Sequence, residues 1–177
     1  MKLLIVSASL NPDSKSRLLA QAAAATLATD GVEHTLVDLR DLPLPLCDGG
    51  AAYGHPNVAQ AGQLVREADG IILAAPIYNY DVNATLKNLV ELTGKAWEDK
   101  TVAFLTAAGG ASSYMSIMAL ANSLMLDFRC VVVPRFVYAV PGDFADGAIA
   151  NPKITERVAE CARATARLTG QRTDRTH

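Results

Sequence analysis

Hydroxyl groups and cations crowd one short stretch near the N-terminus, Ser7-Ala8-Ser9-Leu10-Asn11-Pro12-Asp13-Ser14-Lys15-Ser16-Arg17. It follows the apolar run Leu3-Leu4-Ile5-Val6 and leads into an Ala- and Leu-rich stretch of helical character. The free N–H groups and the dipole of a helix N-terminus make an anion site. Ser9, Ser14 and Ser16 can donate hydrogen bonds to phosphate oxygens, and Arg17 can add a charge-assisted bond. Lys15 and Arg17 are the only cations in the stretch, which suits one phosphate better than a triphosphate. The stretch holds no glycine, so it is neither a Walker A loop nor a Gly-x-Gly-x-x-Gly turn. Serine and aspartate also cap helices without any ligand. The position of the loop in the fold therefore has to carry part of the argument.

Two further stretches could meet the rest of such a ligand. Pro76-Ile77-Tyr78-Asn79-Tyr80-Asp81-Val82-Asn83 follows an apolar strand-like run. Its aromatic and amide side chains can wall a flat, conjugated molecule, although Tyr78 and Tyr80 could equally close the end of the core. Thr106-Ala107-Ala108-Gly109-Gly110-Ala111-Ser112-Ser113 carries a double glycine. Glycine permits close backbone approach and a positive φ, and the bland alternative is a plain turn capped by Ser113. Nothing resembles a Ser-His-Asp or Cys-His constellation or a Gly-x-Ser-x-Gly elbow. The three cysteines, Cys47, Cys130 and Cys161, lack Cys-x-x-Cys spacing, and the three histidines form no His-x-x-x-His pair, so no metal site is expected.

The elements that must position these loops are legible as short apolar runs alternating with helical stretches. Strands are expected at Leu3–Val6, Glu33–Leu39, Gly70–Ala75 (stopped by Pro76), Thr101–Thr106, and Cys130–Val133 continued by Phe136–Tyr138. Pro134 inside the last of these implies a bulge or an edge position. Helices are expected at Ser14–Asp30 with Gly31 as C-cap, Asn57–Ala68, Asn83–Lys95, Ser113–Phe128, and from Asn151-Pro152 to about residue 170. Strands that are apolar throughout are buried on both faces, so the sheet should be parallel with helices on each side. The chain then reads as a single α/β domain over residues 1–170, a doubly wound five-stranded parallel sheet, with a polar tail at 171–177 expected to fray. Ligands of such sheets bind at the carboxyl ends of the strands, where the strand order reverses. The loops after strands one, three and four lie there.

Composition sets the outer bounds. The chain has 177 residues, 50% of them hydrophobic and 19% charged, which excludes a disordered protein. Its formal net charge of −2 offers no basic surplus for a nucleic-acid backbone. No apolar run is long enough for a signal peptide or a membrane span, so a reducing, cytoplasmic location is expected.

The serine-rich loop taken together with Pro76-Ile77-Tyr78-Asn79 and Leu86-Lys87-Asn88 resembles the NAD(P)H-dependent FMN reductase family, whose fold is flavodoxin-like. Asp38-Leu39-Arg40-Asp41-Leu42-Pro43-Leu44-Pro45 is also typical of it, and the resemblance spans most of residues 1–170. It implies an enzyme passing hydride from NAD(P)H, as co-substrate, to FMN. It implies that Ser9, Asn11, Ser14, Ser16 and Arg17 surround the FMN phosphate. Pro76, Ile77, Tyr78, Asn79 and Tyr80 would line the ring system, and Ala108, Gly109 and Gly110 would meet its polar edge. Asn11 stands where the family has an arginine, and Asp81, Asn83 and Ala84 stand in place of Ser, Pro and Gly. The Ala-Gly-Gly form of the third loop is closest to the branch that supplies reduced FMN to a monooxygenase partner. A homodimer or homotetramer is the family's habit, and the apolar positions Met115, Ile117, Met118, Leu120, Leu124, Met125 and Phe128 exceed what one buried helix stripe requires. Arg40 and Arg135 are candidates, by charge alone, for the 2′-phosphate of NADPH. The competing readings are a quinone, azo-dye or metal-oxyanion reductase that retains its FMN, an electron carrier without turnover, and a non-catalytic phosphate-ligand binder.

Overall fold

The structure, a computed structural model, describes residues 1–173. In chain order the strands and helices are β1 (Leu3–Ser7), α1 (Lys15–Thr29), β2 (His34–Asp38), α2 (Pro56–Glu67), β3 (Gly70–Tyr78), β4 (Asp81–Val82) and α3 (Ala84–Thr93). They continue with β5 (Thr101–Ala107), α4 (Met118–Phe128), β6 (Val131–Val132), β7 (Val137–Ala139), β8 (Phe144–Ala145), β9 (Ala148–Ile149) and α5 (Pro152–Thr173). The main sheet runs β2-β1-β3-β5, and β6 and β7 share the fifth position along the outer side of β5. All of these pairings are parallel. The switch in strand order falls between β1 and β3, so their loops open a crevice at the carboxyl end. This is the expected doubly wound α/β sheet.

Side chains alternate between two cores. Leu4, Val6, Ile71, Leu73, Val102 and Phe104 pack under α2, α3 and α4, with Trp97 filling that side. Leu3, Ile5, Ile72, Ala74, Ala103 and Leu105 pack under α1 and α5. Gly70 is required where α5 crosses β3: a Cβ there would stand 2.9 Å from Leu3 Cδ2 and closer still to Thr169 Oγ1.

Four expectations are corrected. Pro76 does not stop the third strand, which runs on to Tyr78. The Ala74 carbonyl accepts from Ala8 N (2.9 Å) on the β1 side. Two residues later Pro76 faces the same side, where β1 has ended, so its missing N–H costs no ladder bond. Its carbonyl accepts from Asn83 N instead (3.2 Å). The fourth expected helix does not begin at Ser113: residues 111–117 form a 3₁₀ segment broken at Ser113, and regular helix begins at Met118. The expected fraying does not include 171–173, which continue α5, with Arg172 donating to the Asp99 carbonyl (3.0 Å). Residues 174–177 of that tail lie outside the described chain. Finally, the hairpins β3–β4 and β8–β9 were not expected at all. The fifth strand divides around Pro134 and Arg135, at the sheet edge, as the proline implies.

Leu86-Lys87-Asn88 acquires a structural meaning. Asn88 is buried; its Nδ2 donates to the Pro45 carbonyl and its Oδ1 accepts from Cys47 N, both at 2.8 Å. One amide thus pins the Pro-rich segment that follows β2. Asn88→Ala leaves a carbonyl and an N–H to find water, an expected loss of about 2 kcal/mol. A thermal melt should show Tm lower by roughly 4–8 °C for a chain of this size.

Candidate functional site

The loops after β1, β3 and β5 meet in one cleft of about 250 Å³. Of the residues expected to bind the cofactor, it is lined by Ser9, Asn11, Ser14, Ser16, Pro76, Ile77, Tyr78, Ala108 and Gly109. Asp13, Lys15, Ala107 and Pro141 complete the lining.

One end of the cleft is built from the start of α1. Ser14 is the N-cap; its Oγ accepts from Arg17 N (3.1 Å) and lies 3.0 Å from Ser16 Oγ. The N–H groups of Lys15 and Ser16 have no partner within the protein among the described residues, as expected for the first turn of a helix. Two orphan donors, the buried hydroxyls of Ser9, Ser14 and Ser16, and the positive end of the α1 dipole therefore converge on an anion-sized space.

Arg17 is placed differently from the other residues expected at the phosphate. It does not line the cleft. Its Nε pairs with Asp38 Oδ2, its Nη1 donates to the carbonyls of Asn11 (3.0 Å) and Pro12 (2.9 Å), and its Nη2 donates to that of Ser9 (3.1 Å). A loop that binds an anion must aim N–H groups, not carbonyls, at it. Arg17 gathers these three carbonyls and ties them to the end of β2. Asn11, in place of the family's arginine, makes an Asx turn: its Oδ1 accepts from Asp13 N (2.9 Å).

The other end is flatter and apolar. Tyr78 is 55% exposed and stands at the tip of β3, above Pro76 and Ile77. Asn79 (φ 49°) and Tyr80 (φ 67°) form the two-residue turn of the β3–β4 hairpin, both left-handed as a type I′ turn requires. Their side chains are outside the cleft lining, so the turn holds Tyr78 in place. Asn83, at the family's proline position, donates Nδ2 to the Ala8 carbonyl (2.7 Å) and joins this hairpin to the first loop.

The glycine loop closes the third side. Neither Gly109 nor Gly110 has a positive φ, contrary to that expectation. Their use is space: a Cβ on either would meet no protein atom within 4 Å. Gly110 lies off the cleft lining; its carbonyl accepts from Tyr138 Oη, which itself accepts from Ser113 N (3.2 Å). Tyr138 thus fixes the loop from behind. Pro141 was missed from sequence. It is held by Asp143, whose carboxylate accepts from Val140 N (2.8 Å) and Asn151 Nδ2 (2.7 Å). A Val-Pro-Gly-Asp turn after the fifth strand was the available signal.

The buried thiols add no chemistry here. Burial pushes the thiols of Cys130 and Cys161 up to about 11, so neither supplies a thiolate at neutral pH. No group of three or more metal-ligating side chains occurs among the described residues. Arg40 and Arg135, the charge-based candidates for a 2′-phosphate, both lie outside the lining of the cleft.

A polar, donor-rich end joined to a flat, open, apolar end fits a phosphorylated planar molecule such as FMN. Comparison with known proteins agrees. Residues 1–145 match the model of the family described as NADPH-dependent FMN reductase. The chain is 30% identical over 166 residues to an NAD(P)H-dependent FAD/FMN reductase of Geobacillus thermodenitrificans, covering 92% of this chain and 90% of that protein. It is 29% identical over 169 residues to a probable NADPH:quinone oxidoreductase of Oryza sativa subsp. japonica, covering 89% and 83% respectively. Its fold is shared with the flavoenzyme NAD(P)H:(acceptor) oxidoreductase FerB of Paracoccus denitrificans, at a TM-score of 0.77, 17% identity and 96% and 97% coverage. With its cleft assembled from the three loops that the family's motifs mark, the chain belongs to the NADPH-dependent FMN reductase family.

Proposed function

We propose that this protein is an NAD(P)H-dependent reductase that binds FMN in the three-loop cleft. The observation that carries the reading is the convergence of the α1 N-terminus, the Tyr78 wall and the open face of Gly109 on one cleft. Ser9, Ser14, Ser16 and the N–H groups of Lys15 and Ser16 hold the phosphate. Pro76, Ile77 and Tyr78 seat one side of the ring system, and Ala108 and Gly109 approach its edge. When bound, FMN supplies the hydride acceptance; the protein orients the rings and needs no acid–base residue of its own. The exposed face of the ring system receives the nicotinamide.

The first experiment is an anaerobic visible spectrum of the protein with FMN, taken before and after NADPH and then NADH. Bleaching of the flavin bands at catalytic protein levels supports the reductase. Bound FMN that never bleaches would replace it with an electron carrier, and absent binding would remove the cleft. The similarity to a quinone oxidoreductase favours a second reading, in which FMN is retained and a quinone takes the electrons. Flavin that stays with the protein on filtration during turnover would favour it. Flavin that exchanges would favour supply of reduced FMN to a monooxygenase.

We propose that the outer face of α4 and of the 3₁₀ turn before it forms a homo-oligomer contact. Met115 is 50% exposed and Leu126 85%, with Met118 and Met125 beside them, while Leu120 and Leu124 already serve the core. Such a face is costly to leave in water. Met118→Glu is expected to lower the mass measured by light scattering to that of the monomer; an unchanged mass would move the contact elsewhere. The three cysteines are all free thiols, which suits a reducing cytoplasm.

A further inference from the structure

A second groove, of about 400 Å³, lies between α5 and the break in the fifth strand. Its lining includes four arginines, Arg135, Arg157, Arg163 and Arg167, over a floor of Cys161 and Ala164. It shares no lining residue with the FMN cleft. Two of the guanidinium groups are committed. Arg163 forms a two-pronged pair with Asp30 (2.7 and 3.2 Å). Arg157 pairs with Glu160 (2.6 Å) and also donates to the Arg135 carbonyl (2.6 Å). The other two are not: the guanidinium groups of Arg135 and Arg167 have no partner among the described residues. Two uncompensated positive charges thus face one concavity on a chain whose formal net charge is −2.

The backbone adds a second observation. Arg135 sits at φ 60°, the left-handed region that long side chains seldom adopt. Pro134 beside it prevents a continuous edge strand, and Arg157 clamps the Arg135 carbonyl to α5. Such a conformation persists where the surrounding structure over-determines it, as the Arg157 clamp does here, and such positions cluster at ligand clamps.

We infer that this groove is an anion site for a phosphoanhydride or phosphate ester carrying at least two negative charges, separate from the FMN cleft. A single carboxylate is satisfied by one guanidinium fork. A phosphate dianion presents oxygens to several forks at once, and Arg135 and Arg167 come to it from two different elements. The groove has the size of a small-ligand site.

The test uses the protein loaded with FMN, so that the α1 phosphate site is filled. Inorganic pyrophosphate is titrated while amide signals are followed by NMR. Saturable shifts are expected at Cys161 and Ala164. Arg135→Gln and Arg167→Gln should each weaken binding about tenfold, and together about a hundredfold, the scale of one charge-assisted bond per side chain. FMN binding should be unchanged in both variants. Shifts confined to residues 9–16, or equal affinity in the double variant, would overturn the site. Malonate binding as tightly as pyrophosphate would overturn the phosphate assignment.

Discussion

Gly109→Val is expected to leave the fold intact and to abolish tight FMN binding. Gly109 lines the cleft, its φ is not left-handed, and a Cβ there meets no protein atom within 4 Å. A valine therefore brings no left-handed backbone strain, and its Cβ meets no protein atom within 4 Å. Its methyl groups enter the space proposed for the ring edge. FMN affinity should fall at least about a hundredfold, equivalent to about 2.8 kcal/mol. Tm should stay within about 2 °C, as for a substitution that touches no core contact. Fluorescence titration of FMN and a circular-dichroism melt read the two quantities separately. Unchanged affinity would take the glycine loop off the ligand.

Asp38→Ala is the second large effect, and it acts at a distance from the cleft. The Arg17 and Asp38 side chains are only 14% and 15% exposed. Removing one partner of a buried pair leaves the other charge uncompensated, which costs about 3–5 kcal/mol when burial is complete. With the remaining solvent access, about 2–3 kcal/mol is expected, or a Tm lower by roughly 5–10 °C. Arg17 then loses the anchor from which it holds the carbonyls of Ser9, Asn11 and Pro12. FMN affinity should fall about tenfold or more, although Asp38 touches no part of the cleft. Arg17→Met combined with Asp38→Leu separates the two effects. Filling the site with apolar groups should restore Tm but not FMN affinity. Restored affinity in that double variant would show that the carbonyl clamp is dispensable.

The two motif loops were legible because each joins a strongly patterned strand to a helix. Leu3–Val6 and Gly70–Ala75 are apolar throughout, and Ser14 is a strong N-cap type, so the chain must turn between them at the carboxyl end of the sheet. The residue types there then limited the ligand to something anionic at one end and flat at the other. Pro134 marked the broken edge strand for a local reason as well, since proline cannot donate to a ladder.

Arg17 shows where sequence stops being informative. Residue type makes it a phosphate ligand or a loop clamp with equal ease. Asp38, 21 residues away, decides between them by taking its Nε, and three loop carbonyls take most of the rest. Asn83 is similar: it reads as a helix cap, yet it makes no side-chain cap bond and reaches the Ala8 carbonyl 75 residues away. Asn79 and Tyr80 read as ring contacts, and a two-residue hairpin places them off the cleft lining. Local pattern fixes which backbone conformation each segment takes, because propensity, capping and hydrophobic period act over a few residues. The sequence by itself therefore determined the five principal strands, most of the helices and the doubly wound parallel sheet. Only the tertiary structure decided which polar side chains line the cleft and which are consumed in holding the loops, because hydrogen bonds and ion pairs are assigned among groups that meet only after the chain has folded.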